Sequence, residues 1–167
     1  TEAPAEDAAY AGWKTLTGKN GAYTIMVPAT YTSSTESPEE IDKVIKAIEK
    51  AQPELAATFN GTAKNEKLDL YAMDLSAEAA SDGFADNVNI IVEDWAPSGD
   101  LATNLKAVGE ATVKTMPSRA PMTTEMLDLM GTKVFKYTGS MVFPGGAGKE
   151  LTSDLTGFLV PHDGKIY

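Results

Sequence analysis

His162 and Asp163 are the adjacent residues of this chain that could support acid–base chemistry, because a histidine beside a carboxylate is part of a Ser-His-Asp arrangement. In a weak serine hydrolase, this pair would activate a serine hydroxyl that attacks an ester. Ser140 and Ser153 are the serines that we consider for this role, and the fold would have to bring one of them to His162. We favour the simpler interpretation, in which His162 is a surface residue of a tight turn.

A glycine-rich run from Gly145 to Lys149 has the composition of a phosphate-binding loop. That motif requires a glycine where Phe143 stands and a serine or threonine where Glu150 stands. Because both requirements fail, we predict that the run is a flexible hairpin connection.

Metal and cofactor chemistry has little support in the sequence. Asp82, Asp86 and Asn87 carry oxygen ligands, but they lack the spacing of a calcium loop, which favours a role in capping a loop. The absence of cysteine excludes a disulfide, a thiolate nucleophile and a zinc site built on sulfur. Glu93 and Asp94 are neighbours in a predicted strand, so they point to opposite faces and cannot form a paired acid and base. We therefore expect no metal, no cofactor and no enzymatic activity.

Three large aromatic side chains are harder to assign to a core than the others. They are candidates for a surface that binds a partner or a ligand: Tyr31, Phe84 and Trp95. The seven methionines, Met122, Met126 and Met130 among them, are expected to fill the core, with an adaptable binding surface as the less favoured alternative.

The composition limits the choice of partners. A chain of 167 residues with 43% hydrophobic residues suffices for one domain with an ordinary core. Its 24 Asp and Glu against 14 Lys and Arg give a net charge of −10, which disfavours nucleic acid and anionic lipid surfaces as ligands. No apolar run approaches the roughly 18 residues that a membrane span needs.

Hairpins are expected to organise the fold. The stretch from Gly131 to Val160 is predicted to form two long strands joined by the glycine-rich run, because its apolar residues alternate. A second hairpin is predicted between Trp13 and Tyr31, since Asn20-Gly21 favours a tight turn. Asp163-Gly164 predicts another tight turn. One face of the long hairpin would carry Phe135, Tyr137, Met141 and Phe143.

Two helices and three more strands complete the prediction. One helix starts at Pro38 behind the cap Ser37, and the other runs from Leu101 to about Met116. The strands are predicted at Lys67–Leu75, Asn87–Trp95 and Met122–Met130. Because Ile91 and Trp95 make the second face of the middle strand apolar, we expect cover on both sides of the sheet. The apolar stripes of the helices are Ile41, Val44, Ile45 and Ile48, and Leu101, Leu105, Val108 and Thr112.

The order of these elements, with the segments YTIMVP, KLDLYAMDL and NVNIIVEDW, resembles the PsbP-like family, which includes the Ran-release-factor fold. The segments AQPELAATF and NVNIIVED are most similar to its LpqN-type exported lipoproteins of actinobacteria. The resemblance covers about Trp13 to Tyr167 and rests on pattern, without a signature motif. It implies an α+β fold, a mainly antiparallel sheet with helices packed on both faces in an α/β/α sandwich. It implies no catalytic residues, since such proteins act mainly by binding.

The predicted organisation is a flexible tether over residues 1–12 and a single PsbP-like domain over residues 13–167. Lys165 to Tyr167 begin a strand that would be left as an unpaired edge, so we expect the domain to be cut short at that end. The small, acidic tether and the absence of cysteine favour an exported chain. Members of the lipoprotein group would carry a lipid on a cysteine just upstream, which this chain lacks.

These observations together predict a non-enzymatic binding or adaptor domain of an exported bacterial envelope lipoprotein, anchored by lipid to the membrane surface. Its partner would be a protein or a lipid-like ligand of the envelope, with no nucleic acid. The alternative is a weak serine hydrolase of the cell envelope.

Overall fold

A computed structural model of the chain describes residues 10–51, 65–74, 76, 86–144 and 150–167. These residues form eleven strands and two helices. The chain divides into two units, which are described separately. The first unit comprises Thr1–Ala47 with Asn60–Ile91, and the second comprises Ile48–Phe59 with Val92–Tyr167.

The first unit contains a hairpin and a three-stranded antiparallel sheet. The hairpin consists of β1 (Trp13–Thr17) and β2 (Thr24–Pro28), as the Asn20-Gly21 turn predicts. The sheet has the order β3-β4-β5, with β3 at Tyr31–Ser33, β4 at Leu68–Asp74 and β5 at Asn87–Ile91. Helix α1, Pro38–Ala51, begins behind Ser37 as predicted.

The core of the first unit lies between the hairpin and the sheet. Leu16 and Val27 point inward from the hairpin and meet Leu70 and Ala72 of β4. Leu68 to Met73 are all buried, so β4 is covered on both faces. Ile41 and Ile45 of α1 are buried as predicted, whereas the side chains of Val44 and Ile48 lie outside the described residues.

The second unit is built on the long hairpin, which is confirmed. Strands β7 (Thr123–Leu129), β8 (Thr132–Pro144) and β9 (Glu150–Leu159) form an antiparallel sheet in that order. A smaller sheet has the order β10-β11-β6, with β6 at Glu93–Asp94, β10 at Pro161–His162 and β11 at Lys165–Ile166. The glycine-rich run at Gly145 to Lys149 lies outside the described residues.

Helix α2, Leu101–Lys114, covers one face of the second unit's larger sheet. Asp100 caps the helix, since its carboxylate accepts a hydrogen bond of 2.8 Å from the Thr103 amide. Leu105 is fully buried beside Phe135 and Ile166, as predicted for this stripe. Val108 of the same stripe packs against this cluster as predicted, whereas Leu101, the first residue of the helix, is 42% exposed.

The predicted fold class is wrong. The described residues form small antiparallel sheets with only two helices, and no layer of helices on both faces of one sheet. The misleading signal was the apolar second face of the segment Asn87–Trp95. That segment is not one strand, because β5 ends at Ile91 and β6 belongs to another sheet. Trp95 packs against the second unit's core, whereas Ile90, which alternation places on the opposite face from Ile91, packs against the first unit's core. Ile91 and Trp95 therefore do not form one apolar face of a single strand.

The expected edge strand at Lys165 was also wrong. Strand β11 is the central strand of its sheet, paired with β10 on one side and with β6 on the other. The adjoining turn at Asp163-Gly164 is confirmed, with positive φ angles of 46° and 72°.

Candidate functional site

The aromatic residues predicted to bind a partner are held mainly by their own cores. Tyr31 lies in β3 opposite Asp74 and is half-buried against the first unit's core. Burial, with the negative charges of Asp86 and Asp74, raises the pKa of Tyr31 above its ordinary value. Trp95 is half-buried against the second unit's core. Phe84 lies outside the described residues.

The structure does not bring the residues of the hydrolase alternative together. His162 is exposed, and its Nε2 lies 3.5 Å from Oδ2 of Asp163. Ser140 instead donates a hydrogen bond of 2.6 Å to Asp154, which it faces across β8 and β9. Asp154, and with it Ser140, lies five residues before the end of β9, which is roughly 17 Å along the strand. His162 comes only after that end, in β10, so Ser140 is far from the histidine. Ser153 is one residue further from that end.

The oxygen ligands considered for metal binding lie partly outside the described residues, since Asp82 does. Asp86 is exposed, and its backbone carbonyl accepts a hydrogen bond of 2.8 Å from the Asp74 amide. Across the described part of the chain, no group of three or more histidine, aspartate and glutamate side chains could hold a metal ion. Glu93 and Asp94 are both exposed, and Asp94 accepts a hydrogen bond of 2.8 Å from Lys165. Lys165 holds the pKa of Asp94 below its ordinary value.

A different surface stands out on the outward face of the hairpin β1–β2. The strand register pairs Trp13 with Pro28 and Thr15 with Met26, which places these four side chains on one face. Trp13 is 39% exposed and Met26 is 47% exposed. The remaining members of this face, which we call the hairpin face, are Thr17 and Thr24.

Tyr10 extends the hairpin face beyond the start of β1. Its ring meets the ring of Trp13 edge-on, with centroids 5.2 Å apart and planes at 83°. The Gly12 carbonyl accepts a hydrogen bond of 3.2 Å from the Ala29 amide, which continues the ladder past the strand ends. Tyr10 is 44% exposed, so an aromatic pair borders the face.

The hairpin face carries no charged side chain among these described residues, although the chain has 14 Lys and Arg and 24 Asp and Glu. The nearest charge in β1 is Lys14, whose position in the strand points it to the opposite face. There its ammonium lies 2.8 Å from the carboxylate of Glu36. The hairpin face is therefore apolar and carries hydroxyl groups, whereas the ion pair of Lys14 with Glu36 lies on the opposite face of the hairpin.

Contacts on the core side of the hairpin and at its turn fix the orientation of the hairpin face. Leu16 and Val27 alternate with the exposed residues and are buried in the first unit's core. The turn is tied to β4 by Asp69, which is only 6% exposed. Asp69 accepts hydrogen bonds from the Lys19 amide at 3.1 Å and from the Tyr23 hydroxyl at 2.7 Å. Trp13 and Met26 are thus held outward on a hairpin anchored at both its core face and its turn.

Sequence reasoning missed this surface although a signal was present. The predicted turn at Asn20-Gly21 fixes the hairpin register, and that register puts Trp13 and Met26 on the same face. Tyr10 belongs to the predicted tether, of which residues 1–9 lie outside the described residues. The pairing of Tyr10 with Trp13 has no sequence signature beyond their spacing.

No protein-family model, no curated protein and no solved structure matches this chain. Neither helix in the described ranges has the length and apolar character needed to cross a membrane. The PsbP-like resemblance therefore stays a prediction from sequence pattern.

Proposed function

We propose that this protein is a non-enzymatic binding or adaptor domain that holds a protein partner on the hairpin face. The observation that carries the proposal is the exposure of Trp13 and Met26, with Tyr10, on a face without charged side chains. Interface cores are depleted of charge and enriched in tryptophan, tyrosine and methionine. Tryptophan and tyrosine are also the usual residues of binding hot spots.

A protein surface fits the hairpin face better than a lipid-like ligand. Small apolar ligands are bound in concave sites that bury most of their surface. The outward side of a two-stranded ladder offers instead a broad contact whose threonine hydroxyls can pair with polar groups at an interface rim. Because Leu16 and Val27 fix the hairpin in the core, little backbone entropy should be lost when a partner binds.

We further propose that the domain acts in the bacterial cell envelope as part of an exported, lipid-anchored protein. The support is the absence of cysteine, the acidic composition of residues 1–12 and the resemblance to the LpqN-type lipoproteins. An anchor of this kind would place the hairpin face beside other envelope proteins. The sequence upstream of Thr1 tests this part, because a lipoprotein requires a signal segment followed by a cysteine.

Photo-crosslinking tests the binding site directly. A crosslinking amino acid is placed at Thr15, in the middle of the hairpin face, or at Ala107, an exposed position of α2, and the protein is incubated with envelope extract. We expect an adduct with a defined protein from position 15 and not from position 107. Trp13→Ser combined with Met26→Ser should abolish that adduct.

The captured protein is then purified and its affinity measured with single variants. Trp13→Ser should weaken binding at least about tenfold, as expected for a hot-spot residue. Leu101→Ser is the matched control, because Leu101 is similarly exposed but lies on α2. Equal losses for both variants, or adducts that do not depend on Trp13 and Met26, would contradict the proposal.

A further inference from the structure

Strand β9 ends the larger sheet of the second unit. It pairs with β8 along its whole length, from Glu150 opposite Pro144 to Leu159 opposite Phe135. Within the described ranges, no strand pairs with its other side. An antiparallel edge of ten residues leaves the N–H and C=O groups of about five of them directed outward. These groups are a template on which another extended chain can pair.

Several of the devices that usually protect such an edge are absent from β9, whose charged side chains are Glu150 and Asp154. Proteins discourage added strands with lysine or proline in the edge strand, with a β-bulge or with a very short strand. Strand β9, ELTSDLTGFL, contains neither lysine nor proline. Its register with β8 runs through ten consecutive pairs without a shift. The edge is therefore long and regular, and it is unpaired among the strands that the structure describes.

The two faces of β9 differ in a way that selects the side chains of an added strand. One face is exposed and carries two acidic residues, two threonines and Phe158. The other face is half-buried and carries three leucines at intervals of four residues, namely Leu151, Leu155 and Leu159. An added strand would gain most by alternating apolar side chains beside the leucines with polar side chains on the exposed face.

Charge decides which polar side chains fit. Glu150 already forms an ion pair with Arg119. Asp154 receives only the neutral hydroxyl of Ser140, at 2.6 Å, so its negative charge is uncompensated by a cation in the described structure. A lysine or arginine opposite Asp154 would supply a favourable cross-strand pair. A second copy of β9 would not, because the strand has no basic residue in any register.

We propose that β9 accepts an extended peptide segment as a fourth strand of this sheet. The segment alternates apolar and polar residues and places a basic residue opposite Asp154. Main-chain hydrogen bonds supply the affinity, and the alternation together with Asp154 supplies the selectivity. The inference is independent of the hairpin face, since it uses the second unit alone.

A ten-residue peptide of alternating leucine and lysine, labelled with fluorescein, is the probe for this proposal. We expect saturable binding by fluorescence polarisation, with slower hydrogen exchange at the β9 amides. The same peptide with an N-methyl group on every amide keeps its charge and apolarity but has no N–H group left to donate to the β9 carbonyls. It should not bind, and binding equal to that of the unmodified peptide would show simple electrostatic adsorption and overturn the proposal.

Asp154→Asn tests the selectivity with little change of shape, and the amide oxygen can still accept from Ser140. It should weaken binding of the leucine–lysine peptide about two- to fivefold, as expected for one cross-strand charge pair. Glu125→Gln, on the exposed face of β7, is the matched control and should leave binding unchanged. Equal weakening by both variants, or protection that does not fall on β9, would also overturn the proposal. Thermal melts of both variants establish that they are folded.

Discussion

Two tight turns of this protein are held in different ways. The turn between β1 and β2 is tied to a distant residue, since Lys19 and Tyr23 donate to Asp69, 50 and 46 positions away. The turn between β7 and β8 is held locally, since Asp128 accepts from the Gly131 amide at 3.0 Å and from the Lys133 ammonium at 2.8 Å. One turn is therefore part of the tertiary structure of its unit, whereas the other is self-contained.

The difference shows in exposure as well. Asp69 is buried, whereas the acceptor Asp128 is exposed and the side chain of Met130, at the tip of the second turn, is fully exposed. A buried acceptor cannot be replaced by water when it is removed, but an exposed one can. The comparison thus predicts large effects at the first turn and small effects at the second.

The largest effect is expected from Asp69→Ala. The substitution removes a buried carboxylate that accepts from the Lys19 amide and the Tyr23 hydroxyl, so these two hydrogen bonds are lost at a site with little access for water. We expect a loss of about 2–4 kcal/mol in the free energy of unfolding, measured with urea. A loss below about 1 kcal/mol would mean that the turn is not anchored by Asp69.

Replacing either of two turn glycines, Gly18 or Gly131, by alanine should destabilise the protein, but for different reasons. At Gly18 an added Cβ would lie 2.5 Å from the Asp69 carboxylate and from the Tyr23 ring, which should cost about 1–3 kcal/mol. At Gly131 the space is open, but φ is 85°, and the backbone strain should cost about 1–2 kcal/mol.

Asparagine separates the two causes, because it tolerates positive φ but is larger than alanine. Gly131→Asn should be more stable than Gly131→Ala, whereas Gly18→Asn should be no better than Gly18→Ala. Thermal melts of the four variants provide the measurement. The same ranking at both positions would contradict the distinction.

A gain in stability is expected at the tip of the second turn. Met130 has a positive φ of 53° and is followed by Gly131, the geometry that Asn-Gly adopts most readily. Met130→Asn should therefore stabilise the protein by about 0.5 kcal/mol, because asparagine tolerates this conformation better. Met130→Ser is the control for the loss of exposed apolar surface, and a gain of the same size from serine would refute the backbone explanation.

The smallest loss in the free energy of unfolding should come from Asp128→Asn, and this loss should depend on pH. Hydrogen bonds and charge from Lys133, with the Gly131 amide, lower the pKa of Asp128 below 3.8. A lowered pKa stabilises the folded state above the unfolded-state pKa, and this contribution disappears as the pH falls through the folded-state pKa. The difference in unfolding free energy between wild type and variant should thus be present at pH 6 and vanish towards pH 2.

The sequence was informative where the deciding residues are close together. Asp163-Gly164 predicts its turn because both residues take the positive φ that such a turn requires. Asn20-Gly21 correctly marks the first hairpin, although only Gly21 of that pair has a positive φ. Ser37-Pro38 likewise predicts the start of α1. Asp69 could not be predicted as an anchor, because its donors lie about 50 residues earlier and no local pattern links them.

The break between β5 and β6 could not be predicted from the sequence either. Val92 continues the alternation of its neighbours, so nothing local separates Ile91 from Glu93. The division arises because β6 pairs with β11, far along the chain. The residues that share the hairpin face could be predicted, since the strand register follows from the position of the turn. Alternation does not show, however, which of two faces of mixed polarity the core will cover.

The central position of β11 also determines when its sheet can form. Its Lys165 pairs with Asp94, so the sheet closes a loop of 71 residues and requires the chain as far as Ile166. Contacts over such distances are slow to form because loop closure costs entropy before any contact stabilises it. During synthesis from the N-terminus, the strands of the first unit are complete at Ile91, whereas β6 has no partner until β11 has been made. We therefore expect the second unit to complete its fold after the first during synthesis.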